Sequence, residues 1–398
     1  MHRFLLRSMQ KCRKVGRKKK QNHHLKWSDL LDFKLSQYWS RNQPELFPQF
    51  ESTPDPLTEK HCKIITILDV LNIERFVCLH FLSAHTGRPP SDRVALACAF
   101  IAKAVLNLPT TVALIDRLRC DSVLRRICGF ESKRRIPSEG TFSNTFAEFA
   151  AIEFFSRVHE GLIREKYSDQ LVCNVSRDST AIAGREKPLK KASAVKELQK
   201  PKKRGRPKKG EEPPPSEPTR IERQGSMTLD EMLLDLPIEC DCGAKKNAKG
   251  FAETWIGYKL HLDVADGGVP ISAILTSASV HDSQVAIPLE SMTMERVVSL
   301  YSLMDSAYDA KGIKSFIEAN GKVPVIDPNR RRGGDAAPLD PAKRERYKDR
   351  TTVERSNSRI KDDFNAHNVR VKGGVKVMAH LMCGVVALAA EQLIRCFT

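Results

Sequence analysis

The sequence predicts a mixed α/β domain preceded by an all-α N-terminal domain, and three observations carry that expectation. Between Ile64 and Tyr167 apolar residues recur at helical spacing, as in Leu96, Phe100, Ala104 and Leu108. Near Leu171 the period changes to two, and alternating runs return after residue 250. Two helical stretches then follow, about Lys343 to Phe364 and Val375 to Cys396.

Residues 1–60 read as a basic, loosely ordered segment, with Arg13, Lys14, Arg17, Lys18, Lys19 and Lys20 crowded together. Residues 61–168 form the helical domain. Pro89-Pro90 with Ser91 marks one helix start, and a long helix runs from Phe142 to Tyr167 through Phe146, Phe149, Phe154 and Val158. Arg117, Arg119, Arg125, Arg126, Lys133 and Arg134 lie between these helices and give the module a basic edge, suited to duplex DNA or simply to water. Leu171, Cys173 and Val175 alternate as a strand that ends at Arg177-Asp178-Ser179-Thr180.

Regular structure then lapses over 184–250, read as a flexible basic insert because eight basic residues between Lys196 and Lys209, followed by Pro213-Pro214-Pro215, cannot pack a core. Ile256, Tyr258, Leu260, Leu262 and Val264 form a strand that turns at Asp266-Gly267-Gly268 into Val269, Ile271, Ala273 and Leu275, a hairpin. Further strands cover Val297 to Met304 and Val323 to Ile326. Residues 169–398 thus make the second domain.

Composition narrows the partners. Lys and Arg number 66 against 48 Asp and Glu, a net charge of +18, which favours a polyanion. With 41% hydrophobic and 29% charged residues the chain is globular. No apolar run reaches the roughly 18 residues a membrane span needs, and Val377 to Ala390, which contains His380, reads as a buried helix. Eleven scattered cysteines fit reduced thiols and a cytoplasmic protein, and Cys240-Asp-Cys242 lacks a second ligand pair at zinc spacing. No G-x-x-x-x-G-K stretch supports a nucleotide cofactor.

Asp178 and Asp305 each follow an expected strand, where α/β sheets gather their active sites, although either acid alone also suits a helix cap or turn. Tyr347, Arg350, Glu354 and Lys361 fall within a helical stripe about 60° wide. Such a stripe can be an ordinary solvated face. It can also offer a carboxylate to a metal, two cations to phosphate oxygens and a ring to a base.

The spacing Y-(2)-R-(3)-E-(6)-K resembles the signature of the bacterial insertion-sequence transposases of the DDE type. Arg177-Asp178-Ser179-Thr180, Ser279-Val280-His281-Asp282-Ser283 and Asp305-Ser306-Ala307-Tyr308-Asp309 are similar to that family's segments after its first, third and fourth strands. Gly87-Arg88-Pro89-Pro90 and Pro137 to Ser143 resemble its helical N-terminal domain. The resemblance implies a ribonuclease H-like mixed sheet flanked by helices, with Asp178, Asp305 and Glu354 holding two Mg²⁺ or Mn²⁺ ions. It also implies Arg350 and Lys361 on phosphates, Tyr347 against DNA, and cleavage followed by strand transfer. The expected partners are transposon terminal inverted repeats and target DNA, with a dimer at synapsis, in a bacterial cytoplasm close to the nucleoid. A hydrolytic nuclease of the same fold, or a silent DNA-binding relative, are the alternatives. Asp282 rivals Asp305 as the second acid, Asp309 is a possible exchange for it, and His281 could orient a phosphate. Lys245, Lys246 and Lys259 lie near enough to the second strand to touch DNA. In the insert, Lys203, Arg204, Gly205, Arg206 and Pro207 resemble an AT-hook, a thin basic strand able to enter a narrow minor groove.

Overall fold

The computed structural model describes residues 57–80, 91–188, 218–246, 250–329 and 338–397, all within one compact unit, Asp55–Thr398. Among the described residues seven helices come first: α1 (Glu59–Leu71), α2 (Ile73–His80), α3 (Arg93–Val105), α4 (Thr111–Cys120), α5 (Ser122–Ile127), α6 (Glu139–Ala151) and α7 (Phe154–Tyr167). Side chains set their starts: Asp92 accepts the backbone N–H groups of Val94 and Ala95, and Ser138 accepts that of Thr141. Phe100, Phe142, Phe146, Phe149, Phe154 and Phe155 interlock as the core, with Phe149 and Phe154 stacked at 4.7 Å.

The expected single helix from Phe142 to Tyr167 is two. Glu153 adopts a left-handed φ of 53°, which breaks the run between α6 and α7 and lets both lay phenylalanines into one core. Arg125 belongs to the interior rather than to the basic edge, since its guanidinium is buried and donates to the carbonyl oxygens of Leu118 and Arg119. Lys133 and Arg134 are exposed, on a short 3₁₀ turn.

The sheet has six strands: β1 (Leu171–Ala183), β2 (Asp241–Lys246), β3 (Ala252–Ala265), β4 (Pro270–Ser277), β5 (Val298–Met304) and β6 (Val323–Ile326). Their order is β2-β3-β1-β5-β6, with β4 also paired to β3. β1, β3 and β4 run antiparallel in succession, while β5 lies parallel to β1 and β6 parallel to β5. The β3–β4 hairpin and the last two strands are where alternation placed them. β1, in contrast, does not stop at Asp178 but runs on to Ala183, because β3 pairs with it as far as Ala183↔Gly257. Gly257 sits where β3 meets both β1 and β2, with φ 150°, and a Cβ there would collide with the Ile182 carbonyl oxygen.

Residues 184–250 are not uniformly irregular. They contain α8 (Arg220–Gln224), α9 (Leu229–Asp235) and β2, and both helices open with a capping box, Thr219 with Glu222 and Thr228 with Glu231. Lys203, Arg204, Gly205, Arg206 and Pro207 lie outside the described residues, as do Gly87-Arg88-Pro89-Pro90 and the basic run at residues 13–20. Cys240 and Cys242 flank the start of β2 as free thiols.

α10 (Ala286–Met294) and α11 (Lys311–Ala319) flank the sheet, and α12 (Pro341–Tyr347), α13 (Thr351–Asp362) and α14 (Gly374–Phe397) complete the chain. The stretch expected as one helix from Lys343 to Phe364 is α12 and α13 joined by a 3₁₀ turn, Lys348–Arg350. α14 packs against α3, α6, α7, α13 and β4. Its segment Gly374–Cys396 is long and apolar enough to cross a membrane by length and composition, but 83% of its most apolar window is buried inside the protein, so the stretch read as a buried helix is one.

Candidate active site

β1 and β5 bring two of the expected acids level. Their parallel register runs from Leu171↔Val298 to Ser176↔Leu303, so its continuation sets Asp178 beside Asp305. β5 ends at Met304, one residue short of Asp305, whose carboxylate accepts the Ala307 backbone N–H at 3.0 Å as the cap of a 3₁₀ turn. The expected cap role is therefore met at this residue, directly after β5.

α13 brings the third acid. Its inner face is Val353, Ser356, Asn357 and Ile360, an i, i+3, i+4, i+7 set that docks against the sheet. The preceding 3₁₀ turn is tied to β1, since Asn174 donates to the Asp349 carboxylate at 2.9 Å and the Ser176 hydroxyl to the Asp349 carbonyl oxygen at 3.3 Å. Those anchors hold Arg350 over the acids. One of its terminal nitrogens donates to Glu354 Oε1 at 2.6 Å, and the other stands 4.0 Å from Asp178 Oδ1. Tyr347 lies next to that guanidinium, 5.9 Å from ring centre to carbon.

Burial pushes the Asp178 carboxyl up to about 6, opposed by Arg350 and the Ser179 backbone, and reinforced by the charges of Asp305 and Glu354. Asp305 is raised as well, chiefly by burial, with Ala307 N–H and Arg350 opposing and Asp282 and Asp327 adding to it. Asp178 thus lies within electrostatic reach of both Asp305 and Glu354, and all three acids share Arg350 as counter-charge. Lys361, one end of the stripe, is half-buried. Burial lowers its pKa, the neighbouring Lys245 adds to this, and Asp178 counters.

The rival acids have cationic partners of their own, although Asp282 stays within electrostatic reach of Asp305. Asp282 pairs with Lys259 at 3.0 Å, and Lys259 also donates to the Val280 carbonyl oxygen. Asp309 pairs with Lys314 at 2.6 Å and accepts the Asn329 backbone N–H. His281 shares a hydrogen bond with the Ser283 hydroxyl and caps the 3₁₀ turn after β4. Lys245 pairs with Glu253 at 3.8 Å.

Two features escaped sequence reasoning. Asn357 donates from its amide nitrogen to Asp178 Oδ2 at 3.0 Å and is itself 6% exposed. Its sequence signal was a polar residue on the apolar stripe of α13. Behind the acids, Arg177 is fully buried and donates to Asp263 at 2.7 and 2.6 Å, to Glu290 at 2.9 Å and to the Ala286 carbonyl oxygen at 2.8 Å, while Lys322 neutralises Glu290 at 2.9 Å. This balanced cluster fixes the backbone of β1 at the residue before Asp178.

For a divalent ion, the donor chemistry fits: three carboxylates offer only oxygen, as Mg²⁺ and Mn²⁺ prefer. Two buried polar atoms nearby, Asn357 Oδ1 and the Tyr308 hydroxyl, have no partner, and burial together with the charges of Asp282 and Asp178 holds the Tyr308 hydroxyl firmly protonated. Among the described residues, however, no three Asp, Glu, His or Cys side chains stand close enough to hold one ion, and the Arg350 guanidinium lies among the acids instead.

Three successive antiparallel strands, a parallel continuation through β1-β5-β6, and acids level with each other inside β1 and just after β5 match a ribonuclease H-like domain. Residues 237–389 match the transposase DDE domain, and residues 55–148 match a transposase domain (DUF772). The chain thus carries a DDE transposase domain and a second transposase domain, the pair typical of insertion-sequence transposases. That family binds DNA and generally uses divalent metal ions. Asp305, Arg350, Glu354 and Lys361 fall inside the DDE match, and Asp178 lies upstream of it. No curated protein and no solved structure matches the chain.

Proposed function

We propose that this transposase cleaves DNA at transposon ends and joins the freed 3′ end to target DNA at a centre formed by Asp178, Asp305 and Glu354. The observation that supports the reading is the shared register of β1 and β5, whose continuation sets Asp178 beside Asp305, together with Arg350, which pairs with Glu354 and stands 4.0 Å from Asp178. The three carboxylates would hold two Mg²⁺ or Mn²⁺ ions. Bound there, such ions lower the pKa of a water or a 3′-hydroxyl and stabilise the departing 3′ oxygen.

The chain's own groups do the rest. Arg350 and Lys361 receive backbone phosphates, and Tyr347 packs against the DNA beside the cleaved bond. A phosphate that takes the Arg350 guanidinium releases Glu354 from its 2.6 Å ion pair, so substrate arrival frees the third acid. The helical residues 61–168 grip the terminal inverted repeats, the ribonuclease H-like part from residue 169 carries the chemistry, and two copies meet at synapsis in the cytoplasm. Lys203, Arg204, Gly205, Arg206 and Pro207 add minor-groove affinity.

Asp178→Asn, Asp305→Asn and Glu354→Gln each test the assignment. With cognate ends, a target plasmid and Mg²⁺, the unaltered protein yields joined products and each variant none, at near-normal end binding. A variant that still cleaves removes its residue from the centre, and nicking without joining by the unaltered protein turns the reading into a nuclease.

A further inference from the structure

Asp178 projects from a strand, on a side chain free to rotate about two bonds, toward a place where Arg350 is 4.0 Å away. What fixes that rotation is on the facing helix. Asn357, one turn beyond Glu354, donates its amide to Asp178 Oδ2 at 3.0 Å. Asn357 is only 6% exposed, and the reverse orientation of its amide would set the carbonyl oxygen against a carboxylate oxygen, so the donor end must face Asp178. The opposite atom, Asn357 Oδ1, is buried without a partner, an arrangement that packing alone does not require.

The residue type suits the task. A lysine or arginine here would compete with a metal ion, and an acid would repel Asp178. A neutral donor restrains one oxygen and leaves the other available, with no change in the charge of the centre. Because Asn357 and Glu354 share one helix, the same contact sets the distance between the first and third acids. Ser356, on the same face, donates to the Gly268 carbonyl oxygen at 3.3 Å and steadies the helix from the other side.

We infer that Asn357 is a positioning residue that holds Asp178 in the orientation in which it binds a divalent ion. This rests on the assignment of Asp178 to the metal-binding centre. Removing such an outer hydrogen bond weakens metal affinity by about 10–100-fold in well-studied sites.

The test is a Mn²⁺ titration of the full chain with duplex DNA, followed by electron paramagnetic resonance of free Mn²⁺, for Asn357→Leu, Asn357→Ser and Asp178→Asn. Both Asn357 variants should bind Mn²⁺ at least about tenfold more weakly, while melting temperature and metal-free DNA affinity stay near those of the unaltered protein. The Mn²⁺ concentration for half-maximal cleavage should rise in parallel, with a smaller change in rate at saturation. Unchanged Mn²⁺ affinity in the Asn357 variants, with loss in Asp178→Asn, overturns the role of Asn357 and leaves the acid centre standing. Unchanged affinity in Asp178→Asn itself overturns the centre. Loss of fold in both Asn357 variants marks the residue as packing and overturns the inference too.

Discussion

Lowering the pH from 7 to 5 should cost this protein several kcal/mol through three buried histidines. His159 on α7 donates from Nε2 to the Pro270 carbonyl oxygen at 2.9 Å and presents Nδ1 to Arg296 at 3.3 Å, so both ring nitrogens suit only the neutral form. Burial, with Arg296 adding to it, pushes its pKa down to about 3. Burial likewise takes His261 to about 4 and His380 to about 4, the latter helped by Lys103. Above pH 6.5 neither the folded nor the unfolded form carries these protons. Below it the unfolded chain binds them and the folded chain does not, so stability is lost progressively until the folded pKa is reached. At pH 5, one and a half units below the ordinary histidine value, each residue costs about 2 kcal/mol. Asp178 acts with the opposite sign, since its carboxyl is raised to about 6 and regains a favoured proton over the same range. A comparison of variants removes that contribution. His159→Gln keeps a donor for Pro270 but cannot titrate, so urea denaturation should show its pH 7 to pH 5 loss smaller than that of the unaltered protein by about 2 kcal/mol. Equal losses would refute the assignment of His159 as a buried neutral base.

Two other outcomes are expected. Arg177→Met leaves Asp263 without its arginine and Glu290 with Lys322 alone, and should destabilise the fold by about 3–5 kcal/mol in the same denaturation assay; a loss below 1 kcal/mol would mean the cluster is not a closed charge network. Deletion of Lys202 to Lys209 should weaken DNA binding and flatten its dependence on salt while cleavage persists, and an unchanged salt slope would exclude a phosphate-contacting role for that run.

Much of the sheet was legible because apolar residues alternate along β3 and β4 and the hairpin turns at glycines, so a period of two survives in the sequence even though both faces of β4 are buried. The acid pair was legible in part: Asp305 follows its strand as expected, whereas Asp178 lies inside β1, since strand ends depend on the partner's length and that is a non-local quantity. The break at Glu153 had no glycine or proline to announce it; tertiary packing of the phenylalanines holds a left-handed glutamate there. The helices at 220–224 and 229–235 were announced by Thr-x-x-Glu boxes, a local signal overshadowed by the lysines and prolines upstream. Arg177 reveals its role only through a partner 86 residues away along the chain, and Asn357, beyond the faint signal of a polar residue on an apolar stripe, through one 179 residues away.

α14 gives the molecule a mechanical property. One rod lies under both the phenylalanine core and β4, and its far side meets α13, the carrier of Glu354. With this common beam the helical half and the acid-bearing strands keep a set span. On the proposed reading, that span would set the spacing between the bases gripped and the bond cut.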